Sequence, residues 1–161
     1  MRKGQSALEY LSTYSWAVLI TLTAMAALYY FGVVNPVSLL PTSCSMPADF
    51  ACYGYKLDTS GYLTLDLLQS TGHDIAVTRL KCVEGLDPEM DSSHDLPSEV
   101  VILNGAHETL SDGTVQCYYE GGDPVSGDPG EAFKGHLFIE YYEIDTNFTH
   151  VLTGDLVAKL E

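Results

Sequence analysis

Hydrophobic and polar positions divide the chain into two unlike parts. From Trp16 to Phe31 nearly every residue is apolar, relieved by Thr21, Thr23 and the tyrosine hydroxyls. A helix through this run has no polar face, so it requires lipid or other helices around it. Ahead of it Met1-Arg2-Lys3-Gly4 is short and basic, and Gln5 to Thr13 is mixed, with one acid at Glu9. Gly32, Asn35-Pro36 and Pro41 end the run and keep its exit extended. A helix from Gln5 to Phe31 would be about 40 Å long at the standard rise. That length predicts a membrane-crossing helix, with its basic end inside and the remainder of the chain outside.

Beyond Pro41 the period changes to that of strands. Tyr62-Leu63-Thr64-Leu65-Asp66-Leu67 alternates, placing Leu63, Leu65 and Leu67 on one face. Residues 75–82 alternate too, opposing Ile75, Val77 and Arg79 to Ala76, Thr78, Leu80 and Cys82. Further strands are predicted at 51–57, 99–103, 114–119, 135–144 and 147–159. Turn signals separate them: Thr59-Ser60-Gly61, Thr71-Gly72, Ser111-Asp112-Gly113 and the Gly121–Gly130 stretch. About seven short strands predict an antiparallel β-sandwich. The expected class is therefore α+β, a long hydrophobic N-terminal helix followed by an antiparallel β-sandwich head. The expected organisation is a leader at 1–4, a helix at 5–31, a neck at 32–43 and a head at 44–161.

Charge narrows the function. The chain has 22 acidic and 7 basic residues, a net charge of -15. Arg2 and Lys3 stand at the extreme N-terminus and Glu9 is the sole acid before Asp49, so the head is strongly acidic. Such a surface repels nucleic acid and suits solubility outside the cell. Four cysteines, Cys44, Cys52, Cys82 and Cys117, all lie in the acidic part. An even count behind a hydrophobic segment reads as disulfides of an exported domain, and no C-x2-C or H-x3-H spacing supports structural zinc. Three pairings are open. Short separation favours Cys44–Cys52, leaving Cys82–Cys117 to join two strands. Asn147-Phe148-Thr149 is an N-glycosylation sequon.

Lys3-Gly4-Gln5-Ser6-Ala7-Leu8-Glu9 resembles the class III signal of type IV prepilins, in which a dedicated peptidase cuts before the hydrophobic helix. Gly4 would end the leader, Gln5 would be the new N-terminus, and Glu9 would fall at the fifth mature position. The first-place Gln, with Glu9-Tyr10-Leu11 leading into Trp16-Ala17-Val18-Leu19-Ile20, is similar to the archaeal branch. It departs from the pattern Q-x-S-x-E-x-x-x-L at Ala7 and Thr13. The resemblance implies a filament subunit on the cell surface, serving in adhesion, whose Gln5 amine meets Glu9 of its neighbour in the assembled helix stack. It implies as partners other copies of the chain, prepilin peptidase, the pilus assembly machinery, and the membrane before assembly. A non-polymerising, membrane-anchored binding domain is the alternative.

Catalysis is not expected, nor any cofactor. His73, His94, His107, His136 and His150 are scattered without H-E-x-x-H, and no P-loop, GxGxxG or G-x-S-x-G occurs. Asp66, Asp74, Asp145 and Asp155 lie in or beside predicted strands, where two could meet in a sheet. The loops Asp87–Asp95 and Gly121–Pro129 carry oxygen ligands without EF-hand spacing, and read as solvated acidic loops.

Overall fold

The computed structural model describes residues 3–30 and 41–161, with side chains from Tyr14 onward in the first segment. Contacts divide the chain into two compact units, Met1–Leu39 and Leu40–Glu161. The first contains one helix, α1 (Lys3–Tyr30). Gly4, Gln5 and Glu9 fall within α1, but their side chains lie outside the described residues, as does most of the expected neck.

The second unit is built of eight strands: β1 (Ser43–Ser45), β2 (Phe50–Leu57), β3 (Tyr62–Gln69), β4 (Ile75–Val83), β5 (Asp95–Ile102), β6 (His107–Tyr118), β7 (Ala132–Glu143) and β8 (Thr149–Lys159). They form one sheet in the order β1-β8-β7-β4-β6-β3-β2, with β5 also paired to β4. Most neighbours are antiparallel, but Cys82 and Val83 of β4 pair in parallel with Cys117 and Tyr118 of β6. Leu57 at the end of β2 bridges Leu160, just past β8, in parallel, and Cys44 of β1 is bonded to Cys52 of β2. The two ends of the sheet thus meet, and the arrangement is barrel-like around one interior.

This corrects the expected α+β class. The protein is mostly β, and its strands do not separate into two antiparallel layers, because β6 links both halves of a continuous sheet. Among the described residues no helix is long and apolar enough to cross a membrane. The first turns of α1 carry Lys3, Gln5, Ser6 and Glu9. The apolar part that follows, as far as it is described, falls short of the ~20 residues a span requires.

The core follows the alternation of β3, whose Leu63, Leu65 and Leu67 are all 0% exposed. Leu57, Ile75, Ile102, Leu137, Ile139 and Leu156 complete its centre. In β4 the expected division of faces fails. The register shifts between Val77 and Arg79, leaving Thr78 as an extra residue. That bulge flips the alternation, so Ile75 and Val77 point inward before it and Leu80 and Cys82 after it, while Arg79 and Lys81 turn outward.

A second bulge explains why β6 begins earlier than expected. Ser111-Asp112-Gly113, read as a turn, lies inside the strand. Leu63 pairs with Val115 but Thr64 with Asp112, so Gly113 and Thr114 are extra, and Gly113 makes the bend with a φ of 67°. Buried Ser111 replaces the lost ladder bonds: its Oγ donates to the Leu63 carbonyl (2.6 Å) and accepts the Val115 N–H (3.2 Å). Close packing also fixes Gly61 in the β2–β3 turn. Its φ is 79°, and a Cβ there would strike the Val125 carbonyl.

Two disulfides, Cys44–Cys52 and Cys82–Cys117, staple the unit. The first joins β1 to β2, and the second crosses the parallel β4–β6 contact, where the Cα atoms are 4.5 Å apart. Replacing Cys82 and Cys117 together by Ser is expected to destabilise the fold by about 2–4 kcal/mol for a loop of this length. Leu65→Ala is expected to cost about 2–5 kcal/mol by leaving a core cavity. Both are read from urea unfolding followed by circular dichroism.

Candidate functional site

Two features of the described residues are candidates for function: the apolar surface of α1, and a group of ligand-type side chains at two neighbouring turns of the β unit.

In α1 every described residue from Tyr14 to Tyr30 is exposed. Trp16 is 71% exposed, Met25 67%, Tyr29 81% and Tyr30 86%. The threonine hydroxyls do not offset this apolar character. Thr21 Oγ1 donates to the Ala17 carbonyl (3.0 Å) and Thr23 Oγ1 to the Leu19 carbonyl (2.9 Å), so both hydroxyls are satisfied within the helix. A contiguous apolar surface of this kind marks an interaction site.

The second feature is built from the β3–β4 and β7–β8 turns. Buried Gln69 shapes the first: its Nε2 donates to the His73 (2.9 Å) and Ile102 (3.1 Å) carbonyls, and its Oε1 accepts the Thr71 N–H (2.9 Å). The Ile144 N–H donates to the Asp74 carbonyl (3.0 Å), tying the two turns together. His73 Nδ1 consequently lies 2.7 Å from Asp145 Oδ2. Glu143, at the end of β7, accepts a hydrogen bond from the Thr146 hydroxyl (2.6 Å), and its other oxygen lies 3.6 Å from His150 Nε2. One ligand atom each from His73, Glu143 and Asp145 all lie within 4.8 Å of one another. His73 and Asp145 border a surface depression of about 250 Å³ with Gly72, Asp74 and Ile144. The hydrogen bond to Asp145 raises the His73 pKa, with the charges of Asp145 and Glu143 adding to it. The same bond lowers the pKa of Asp145.

All five histidines lie against a carboxylate. Besides His73, His94 is 3.0 Å from Asp91, His107 3.0 Å from Asp66, His136 2.8 Å from Asp155 and His150 3.6 Å from Glu143. Of the strand acids, Asp66, Asp145 and Asp155 thus face imidazoles, and Asp74 accepts the Asn104 N–H (2.9 Å). The sequence offered no sign that Glu143 would join His73, because the contact spans two hairpins. Asn147 is exposed in the β7–β8 turn at a φ of 58°, a left-handed position that asparagine tolerates.

The acidic loop after β4 has an internal cation. Lys81 Nζ donates to the Asp87 (2.9 Å) and Glu89 (2.6 Å) carbonyls, where a metal would otherwise find oxygens. Asp87 Oδ1 accepts the Glu89 N–H (3.0 Å), and Asp91 caps the Ser92–His94 turn by accepting the Ser93 N–H (2.9 Å). An open hollow of about 570 Å³ lies beside this loop, bordered by Tyr62, Lys81, His94, Pro97, Tyr118 and Glu120.

Comparison with family models, with characterised proteins and with solved structures finds no match.

Hydrogen bonds hold both loop carboxyls below the usual carboxylate range. For Asp87 the chief cause is the Glu89 amide, and for Asp91 the Ser93 hydroxyl and then its amide. A lowered native pKa adds stability above the unfolded carboxylate value, lost as pH falls through the native value. Carboxyl-carbon NMR titration should therefore find both groups ionised well below pH ~4.

Proposed function

We propose that the chain is a structural subunit of a type IV pilus-like surface filament, polymerising through its N-terminal helix and serving in adhesion. The observation that carries this reading is the exposed apolar surface of Tyr14–Tyr30, whose threonine hydroxyls are already bonded within the helix. Such a surface gains most by packing against copies of itself. Small residues at Ala17, Ala24, Ala26 and Ala27 let neighbouring helices approach closely.

The N-terminal motif supplies the processing step. Cleavage after Gly4 by prepilin peptidase frees the amine of Gln5. In a staggered stack that amine meets Glu9 of an adjacent subunit and sets the register between them. Without such a partner an ionised carboxylate among packed apolar helices costs several kcal/mol. The disulfide-bonded β unit suits the oxidising exterior. Its acidic surface, with Tyr53, Tyr62 and Phe148 exposed, is where contacts with other surfaces form.

Mass spectrometry of the N-terminal peptide from sheared surface material tests the reading. A peptide beginning at Gln5 is expected. One beginning at Met1 leaves the non-polymerising membrane-anchored domain in its place. In the same cells Glu9→Ala should abolish filaments seen by electron microscopy while the secreted β unit keeps both disulfides. Filaments of normal abundance in that variant would remove Glu9 from assembly.

A further inference from the structure

We propose that His73, Glu143 and Asp145 form a binding site for a divalent transition cation of the zinc type. Nothing in the filament reading requires such a site, and the two stand or fall separately.

The donor set is the first reason. One imidazole nitrogen and two carboxylates converge from two different hairpins, with their ligand atoms within 4.8 Å of one another. Zinc bound to such donors at about 2.0–2.2 Å holds them about 3.4 Å apart in tetrahedral geometry. His73 Nδ1 and Asp145 Oδ2 are 2.7 Å apart, so a cation replaces their shared proton after a separation of less than about 1 Å. Both side chains are exposed and free to make that rotation. The imidazole discriminates between metals: calcium and magnesium prefer all-oxygen cages, whereas nitrogen with carboxylate suits zinc.

The setting is the second reason. The backbones carrying the ligands are fixed by the bond from Ile144 to Asp74, so the three groups need no ordering of a loop. The Thr146 hydroxyl holds one oxygen of Glu143 and thereby orients the other, as outer hydrogen bonds do around metal ligands. His150 stands against Glu143 at 3.6 Å, a second imidazole at the margin of the group. The adjoining depression leaves room for a water or an incoming side chain at the remaining position. Among the described residues no other group brings three such ligands together. The pairs of His94, His107 and His136 each have one carboxylate. A bound ion would clamp the β3–β4 turn to the β7–β8 turn.

Isothermal titration of the full chain in mild detergent with zinc chloride alone tests this, followed by thermal melts. One saturable site per chain is expected, with a rise in melting temperature. Affinity should fall at least about tenfold in His73→Ala and in Asp145→Asn, a loss in the range seen when metal-site support is removed. His107→Ala, which breaks a histidine–carboxylate pair outside the site, should bind as the parent does. Circular dichroism checks the fold of each variant, and Asp145→Asn decides the matter if His73→Ala does not fold. Absence of saturable binding, or undiminished affinity in the folded variants, overturns the proposal. Tighter binding of calcium than of zinc overturns the choice of metal.

Discussion

The fold depends on a short stretch of parallel pairing that could not hold by itself. β4 and β6 meet at Cys82–Cys117 and Val83–Tyr118, two residue pairs in all. Along the path of the sheet this is where β1, β8, β7 and β4 join β6, β3 and β2. Two pairs of ladder bonds are a weak seam, since parallel pairing is slightly less stable per residue than antiparallel. The disulfide lies in that seam and both its cysteines are in the core. The β3 leucines share one core with Ile75, Leu80 and Leu137. Leu57 and Leu160 then bring the remaining ends together.

The outside of the unit is governed by a shortage of cations. Arg79 serves two acids at once, its Nε 2.6 Å from Asp95 and its Nη1 3.2 Å from Glu140. Lys81 is spent on the loop at Asp87 and Glu89. Each of the five histidines also lies against a carboxylate. These surface pairs contribute little individually. Their arrangement matters more than their strength, because it orders turns and leaves most of the negative field of the unit uncompensated.

What could be read from the sequence was local. The leucine alternation of β3, the strands near 51–57 and 135–144, and the short Cys44–Cys52 loop all follow from neighbouring residues. The failures have a common cause. Thr78 and Gly113 sit in bulges, and a bulge in the pattern resembles either uninterrupted alternation or a turn. The parallel seam, the joining of the sheet ends and the meeting of His73 with Glu143 are long-range events that no local period encodes. The apolar run before residue 31 was plain to see. Its reading as a membrane span gave weight to hydrophobicity and too little to the polar first turns.

The two units meet opposite demands with the same chemistry. The β unit hides its leucines within a disulfide-tied sheet and presents carboxylates, so it is complete in water. In α1 the hydroxyls of Thr21 and Thr23 are spent inward on backbone carbonyls, and the side chains from Trp16 to Tyr30 stand exposed. Large exposed apolar surfaces persist in functional proteins where they mark a contact with a partner. A helix apolar on all sides has no single preferred face, so one neighbour would cover only part of it. In the proposed filament several neighbours around each helix would cover it, a many-subunit bundle in place of a dimer. In such a filament the acidic units would limit how closely copies approach, since like charges repel unless salt or bound cations screen them.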